Sequence, residues 1–224
     1  MIRFKNLFLR YVRQYYALYD INLDIASGEN IAFVGEEDSG KTSLLRILVK
    51  LEKATKGELY IKDIPIKKVN FVNDVQLGFL PSKPVFFENK TVYENLVYVL
   101  KLHKLQPAQM ESAINNCLIE FNIESLKDSK ISSLTLFEKY LVAVARISLR
   151  NLEILVIDEV IDNLKGEEKE KMLEIISKKY LNSSTTCILA TKNEQLARSL
   201  CSRIVFFEHG SIIKEQKEDK SDSK

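Results

Sequence analysis

The sequence predicts an α/β protein with a parallel sheet core, an antiparallel β edge and an inserted α-helical subdomain. Strand and helix patterns alternate in the second half of the chain, which is typical of parallel strands joined by right-handed crossovers. Residues 154–157 form a continuous apolar run, as in a strand that is buried on both faces. Between residues 85 and 135 the patterns are mostly helical, which indicates an insertion.

The strands are predicted from alternating patterns or from short apolar runs. Residues 20–25 alternate polar and apolar side chains and predict a half-buried strand, and residues 57–61 predict a strand at the antiparallel edge. Pro81 ends a strand that is predicted over 75–80. The remaining elements are strand, helix, strand, helix and strand, in this order: 154–157, 167–180, 186–190, 193–201 and 204–207.

Three helices are predicted in the insertion. Thr91 and Glu94 have the spacing of a capping box at the start of the first. Pro107 stands in the first turn of the second, and the third spans 136–149. We therefore expect one domain over residues 1–213, with a helical subdomain at 85–150. The tail at 214–224 is almost entirely charged or polar, which predicts disorder.

Composition excludes several classes of protein. The 224 residues suit one domain, and an apolar fraction of 46% is enough for a core. A net charge of +2 gives no large basic field, so we expect no nucleic-acid partner. Three cysteines without CxxC spacing indicate neither a disulfide framework nor a zinc site. Without a signal peptide or an apolar run of membrane length, we expect a soluble, cytoplasmic protein.

Residues 35–42 match the phosphate-binding loop pattern G-x-x-x-x-G-K-[ST] of P-loop NTPases. A predicted strand at 31–34 precedes the loop and a predicted helix at 43–51 follows it, which is the context that the motif requires. Backbone N–H groups of such a loop point at a phosphate, and the helix N-terminus adds positive potential. Lys41 is expected to reach the β- and γ-phosphates of ATP, and Thr42 to ligate Mg²⁺. The predicted nucleotide-binding residues here are Gly35, Glu36, Glu37, Asp38, Ser39, Gly40, Lys41, Thr42 and Ser43.

Asp158 and Glu159 follow the apolar run at 154–157 directly. The carboxyl end of a parallel strand is the edge at which ligands bind in open α/β sheets. Asp158 is therefore a candidate for holding Mg²⁺, and Glu159 is the candidate base that polarises the attacking water.

The order of these features resembles the ATP-binding subunit of ABC transporters over roughly residues 3–213. Tyr11 falls where that family places an aromatic ring that stacks on adenine, although Tyr15 and Tyr16 are rivals. Five further segments resemble the family. They are 20–29 before the phosphate loop, 57–58 in the strand after the first helix, 91–96 at the start of the helical lobe, 143–146 in the helix behind the signature loop, and 206–212 in the closing hairpin.

The chain also departs from the family pattern. The LSGGQ signature aligns with Leu134-Thr135-Leu136-Phe137-Glu138, where bulky residues replace glycines; we favour a capping box between Thr135 and Glu138. Ser82 takes the place of the family's metal-contacting glutamine and is the candidate metal ligand at that position. Its side chain is too short to copy the reach of a glutamine to the metal and water.

Three further departures concern charge. Lys192 takes the place of the switch histidine; a lysine can donate to a γ-phosphate but cannot accept a proton at neutral pH, and an ordinary surface lysine is the alternative. The family's aspartate after the catalytic glutamate aligns near Lys165. The acids Glu36, Glu37 and Asp38 should weaken triphosphate binding unless their side chains point outward.

The resemblance implies an ATPase subunit that couples ATP binding and slow or asymmetric hydrolysis to a membrane partner. Its implied partners are a second nucleotide-binding subunit, in a homodimer or heterodimer, and a transmembrane permease at the inner face of the cell membrane. The alternative is a nucleotide-bound scaffold or regulatory subunit that has lost turnover, against which Glu159 argues. A GTPase is a third hypothesis, because residues 191–194 approach a guanine-recognition loop, although Glu194 stands where that loop has Asp.

Overall fold

The computed structural model describes residues 1–12, 15–101 and 106–217. The chain divides into two compact units. The first comprises Met1–Phe79 together with the segment that begins at Glu153, and the second comprises Leu80–Leu152. The helical segment predicted at 85–150 falls within the second unit.

The strands form two sheets. A four-stranded sheet has the order β2-β1-β4-β5, and a six-stranded sheet has the order β10-β9-β3-β8-β7-β6. The strands are β1 (Ile2–Val12), β2 (Tyr15–Ile25), β3 (Asn30–Val34), β4 (Lys56–Ile61), β5 (Ile64–Pro65), β6 (Leu77–Leu80), β7 (Ile154–Asp158), β8 (Thr186–Thr191), β9 (Arg203–Glu208) and β10 (Ser211–Lys217). The helices are α1 (Lys41–Leu48), α2 (Val92–Lys101), α3 (Pro107–Glu120), α4 (Leu136–Ser148), α5 (Gly166–Ile176) and α6 (Glu194–Leu200).

Parallel pairing joins β3 to β8 and β9, and β7 to β8. Every residue of β7 and β8 is buried, which explains why both appear in the sequence as unbroken, mostly apolar runs. The four-stranded sheet is antiparallel, and in β2 the buried Ile21, Leu23 and Ile25 alternate with exposed residues. The predicted α/β fold with a parallel core and an antiparallel edge is confirmed.

Local signals set the helices of the second unit. Thr91 and Glu94 exchange backbone-to-side-chain hydrogen bonds of 2.9 and 3.1 Å, so the predicted capping box is present. Pro107 begins α3, as its fixed φ and missing N–H favour. None of the helices within the described ranges combines the length and the apolar character that a membrane crossing needs.

Three features differ from the sequence prediction. No strand is predicted before residue 20, yet β1 and the first half of β2 form a long pair, because repeated register shifts break the alternation. The helix predicted at 167–180 is α-helical only to Ile176 and continues as a π-helix over Ser177–Leu181.

The third difference is a correction to the tail predicted at 214–224. Strand β10 continues through Lys217, while residues 218–224 lie outside the described part of the chain. Two charged residues of β10 have partners on β9: Glu215 pairs with Arg203, and Lys214 lies over the ring of Phe206. Polar composition at an edge strand therefore does not imply disorder, because pairing satisfies the backbone while the side chains remain solvated.

Candidate functional site

The phosphate loop lies between β3 and α1, as predicted. Gly40 has φ of 103° and is the N-cap of α1, and Asp38 has φ of 58°, a conformation that Asp tolerates better than most residues. A Cβ atom at Gly40 would lie 2.8 Å from the carbonyl oxygen of Ala17, so the position requires glycine. Gly40 has no side chain that could cap α1, and the first turn of this helix contains no acid. The first N–H groups of the helix are therefore suited to an anion.

The hairpin between β9 and β10 contacts the phosphate loop through a backbone hydrogen bond. The Gly210 N–H donates to the Ser39 carbonyl at 3.0 Å, and the Tyr19 N–H donates to the Gly210 carbonyl at 2.8 Å. A Cβ atom at Gly35 would lie only 2.4 Å from the Phe207 carbonyl oxygen. Sequence reasoning placed Gly210 only within the final hairpin that the family resemblance implies, and gave it no site role.

Lys41 folds back into its own loop. The side chain is only 3% exposed, and its ammonium donates to the carbonyls of Gly35 and Glu36 at 2.6 and 2.8 Å and to Ser39 Oγ at 3.1 Å. An ammonium has three hydrogens, so these contacts occupy its donor capacity. Lys41 Nζ also lies 3.4 Å from Glu159 Oε1, which joins two residues that the sequence predicted for the same site.

Thr42 and Asp158 form the second contact between distant motifs. Thr42 Oγ1 donates to Asp158 Oδ1 at 2.9 Å. Burial raises the pKa of Asp158, the hydrogen bond from Thr42 opposes that effect, and Lys41 and Arg46 also lower the pKa. A buried carboxylate beside a hydroxyl offers the hard oxygen atoms that Mg²⁺ prefers. Among the described residues, no group of three or more His, Cys, Asp or Glu could hold a metal, so any Mg²⁺ here would need water or phosphate ligands as well.

Hydrogen bonds connect the segment after β7 to the end of β8. Glu159 has φ of 52°, and its N–H donates to the Ala190 carbonyl at 3.0 Å. The hydroxyl of buried Thr191 donates to Asp162 Oδ1 at 2.8 Å. Sequence reasoning gave no site role to Asp162 and considered Thr191 only within the guanine-recognition pattern, because nothing local indicates that the two residues would meet.

Lys192 lies next to this junction. Its ammonium is 3.5 Å from Glu37 Oε2, and its side chain is 37% exposed. The nearby carboxylate of Glu159, followed by those of Glu37 and Asp162, raises the pKa of Lys192. The structure thus places the predicted Lys192 beside two acids that were also predicted for the site.

Three tyrosines competed for the predicted adenine contact. Tyr11 Oη lies 3.4 Å from Ser43 Oγ, and the Tyr11 residue is 52% exposed. Tyr16 instead packs edge-to-face against Phe8 and Tyr19, with ring centroids 6.0 and 5.5 Å apart. Tyr15 is 51% exposed. Of the three, Tyr11 has a contact with the predicted loop residues.

Two predicted positions lie in the second unit. The carbonyl of Ser82 accepts a 2.5 Å hydrogen bond from Tyr140. In the segment that aligns with the signature, Thr135 Oγ1 accepts from the Glu138 N–H at 3.2 Å, and Glu138 Oε2 accepts from the Thr135 N–H at 2.8 Å. The capping box favoured from the sequence is confirmed, and the bulky Leu136 beside it is 47% exposed.

The segment on which the GTPase hypothesis rests makes contacts within the protein. Its first residue, Thr191, donates to Asp162, and the side chain of Asn193 caps α6 by accepting from the Leu196 N–H at 2.9 Å.

Solved structures and curated proteins resemble the chain over most of its length. The dimeric structure of MJ0796, a bacterial ABC transporter cassette, is 26% identical with a TM-score of 0.86, covering 98% of this chain and 99% of that one. A dimeric post-hydrolysis state of the ATP-binding cassette MJ0796, bound to ADP and Pi, has the same TM-score at 24% identity, over 98% and 99% of the two chains, and supports the fold alone.

Curated relatives include the oligosaccharides import ATP-binding protein MsmX of Bacillus subtilis, 28% identical over 94% of this chain and 58% of the relative. The methionine import ATP-binding protein MetN 1 of Bacillus thuringiensis is 26% identical over 97% of this chain and 66% of the relative. The chain thus spans about three fifths of the length of these relatives.

The family model described as ABC transporter matches residues 18–162, which include both the phosphate loop and the acids after β7. The fold and the site geometry agree with that match. The chain therefore belongs to the ABC transporter family, as a nucleotide-binding domain.

Proposed function

We propose that the chain is an ATP-binding subunit of an ABC-type transporter, coupling ATP binding and slow or asymmetric hydrolysis to a membrane partner. One observation carries the proposal: Lys41, Thr42, Asp158 and Glu159 meet at one edge of the sheet, with Lys41 Nζ 3.4 Å from Glu159 and Thr42 hydrogen-bonded to Asp158. Phosphoryl transfer needs positioning and charge stabilisation more than covalent chemistry, and these four groups supply the required types.

Each predicted residue has a role in this proposal. The loop amides and Lys41 bind the phosphates, Glu159 polarises the attacking water, and exposed Tyr11 stacks on adenine. Thr42 and Asp158 would hold Mg²⁺, with Ser82 as a further candidate. When bound there, the ion would neutralise phosphate charge.

Slow turnover follows from the positions at which the chain departs from the family pattern. Lys192 can donate to a terminal phosphate but cannot act as a neutral base, and the bulky Leu136 and Phe137 take the place of the signature glycines. Losing one preorganised donor to developing charge typically costs about 2.7–4 kcal/mol. In a heterodimer, each nucleotide would lie between the phosphate loop of one subunit and the signature segment of the other. An intact second subunit would therefore leave only one of the two sites impaired.

The proposed partners are a second nucleotide-binding subunit and a transmembrane permease, with the chain on the cytoplasmic inner face of the membrane. Support comes from similar proteins: MsmX and MetN 1 are import ATP-binding proteins, and the MJ0796 cassette is dimeric. Affinity purification of the tagged chain from its own cells should retain a multi-span membrane protein.

The enzymatic part is tested by calorimetry and by ATP hydrolysis. We expect Mg-ATP to bind, and Glu159→Gln to bind it equally well while hydrolysis falls by at least about a hundredfold. Equal and negligible hydrolysis by both proteins would favour the scaffold alternative. No uptake of Mg-ATP at millimolar ligand would overturn the proposal.

A further inference from the structure

Glu37 and Lys192 connect two loops at the phosphate-binding edge of the sheet. Glu37 belongs to the loop after β3, and Lys192 directly follows β8, which pairs with β3 so that Val34 stands opposite Thr191. Glu37 Oε2 lies 3.5 Å from Lys192 Nζ. The Glu37 side chain is 83% exposed, so packing does not hold it in place. The ion pair with Lys192 is the main contact that orients its carboxylate.

Lys192 is a cation shared among several acids. The carboxylates of Glu159, Glu37 and Asp162 all raise its pKa, so the ammonium stays charged at neutral pH. Only Glu37 of these three forms an ion pair with Lys192 in the described part of the chain. A terminal phosphate in the adjacent loop would be a stronger anion competing for the same ammonium.

We propose that Glu37 is a specificity-determining residue that holds Lys192 in the nucleotide-free site and yields it to the terminal phosphate of a nucleoside triphosphate. The inference rests on the proposed ATP binding. A diphosphate lacks the terminal group, so it leaves the pair intact. Glu37 therefore lowers the affinity for ATP more than the affinity for ADP, and it sets the ATP concentration at which Lys192 changes partner.

The effect is modest because exposed ion pairs are weak. Removing the competing carboxylate should strengthen ATP binding roughly twofold to fivefold beyond any change in ADP binding. Simple charge repulsion between Glu37 and phosphates is a different effect, and it does not need Lys192.

A double-mutant cycle separates the two effects. Calorimetry with Mg-ATP and Mg-ADP is performed on the unmodified chain, Glu37→Gln, Lys192→Met and the double variant. We expect Glu37→Gln to raise the ATP-to-ADP affinity ratio roughly twofold to fivefold, and to leave that ratio unchanged in the Lys192→Met background. Asp38→Asn is the matched control, because it removes one charge from the same loop, and Asp38 has no ion pair within the described residues. General charge repulsion acts in this variant too, so it should raise the ratio by less than Glu37→Gln does.

Three results bear against the inference. An unchanged ratio in Glu37→Gln overturns it, and so does a gain that persists in full without Lys192. An equal gain in Asp38→Asn also overturns it, since general repulsion would then suffice. Failure of the proposed function is distinguishable, because the unmodified chain would then bind neither nucleotide. Unchanged thermal melting of the five proteins shows that folding does not cause the differences.

Discussion

Thr42 Oγ1 donates a hydrogen bond of 2.9 Å to Asp158 Oδ1, joining the first turn of α1 to the last residue of β7. Asp158 is only 2% exposed, so its carboxylate depends on the protein for stabilisation. The same two groups are the proposed ligands of Mg²⁺. The hydrogen bond therefore preserves the spacing of two oxygen atoms that belong to separate motifs.

Replacing Thr42 by valine tests this contact. Valine has nearly the same shape but no hydroxyl, so Asp158 loses a donor, and the free energy of unfolding should fall by about 1–2 kcal/mol. Thr42→Ser, which keeps the hydroxyl, is the matched control and should stay close to the unmodified chain. Urea denaturation measures both; equal stability of the valine and serine variants would contradict the assigned role.

Asp158→Asn should stabilise the chain in the absence of nucleotide at neutral pH. Burial raises the pKa of Asp158 in the folded state, so the charged carboxylate is less favourable there than in the unfolded chain. The stability associated with the protonated form is complete below the unfolded pKa and is lost as pH rises through the folded pKa.

Thermal melting of both proteins from about pH 7 to about pH 4 tests this sign. The advantage of the Asn variant should be largest at neutral pH and shrink on acidification. A variant that is less stable at every pH would show that the hydrogen bond and nearby cations outweigh burial.

The capping box at the start of α4 gives a third prediction. Thr135→Ala removes the acceptor for the Glu138 N–H and should lower the free energy of unfolding by about 0.5–2 kcal/mol. Thr135→Ser retains an oxygen at the same position and should lose much less. If Thr135→Ala leaves stability unchanged while ATP hydrolysis falls, the segment acts on phosphate rather than as a cap.

Thiol reactivity is the fourth prediction. Burial, followed by the nearby Cys201, raises the pKa of Cys187 to about 12, and Cys117 and Cys201 are buried as well. The thiolate is the reactive form, so the folded chain should react very slowly with a thiol reagent near pH 8. Unfolding in guanidinium should release all three thiols at once. A rapid reaction of Cys187 in the folded chain would contradict its burial.

The elements predicted correctly have strong local causes. The segment at 31–51 combines an apolar strand, permissive glycines and a helix, and it folds as β3, the loop and α1. The strand β1 and the end of β10 were missed for the opposite reason. Their side chains follow no simple period, and pairing with β2, β4 and β9 decides their conformation.

Sequence reasoning also predicted the capping box of Thr135 and Glu138 correctly, because a capping box is a contact between residues three apart. It could not find the bond between Thr191 and Asp162, whose residues are 29 apart. That contact depends on the ends of β7 and β8 being adjacent in the sheet.

The amino-acid sequence alone determined that a phosphate loop forms at 35–42 and that an acid pair ends a buried strand, since backbone freedom and burial pattern are properties of neighbouring residues. Only the tertiary structure decided that Lys41 turns toward Glu159 and that Lys192 pairs with Glu37. The physical reason is the strand order: β8 lies between β3 and β7, so three loops far apart in the chain meet at one edge and their charges interact.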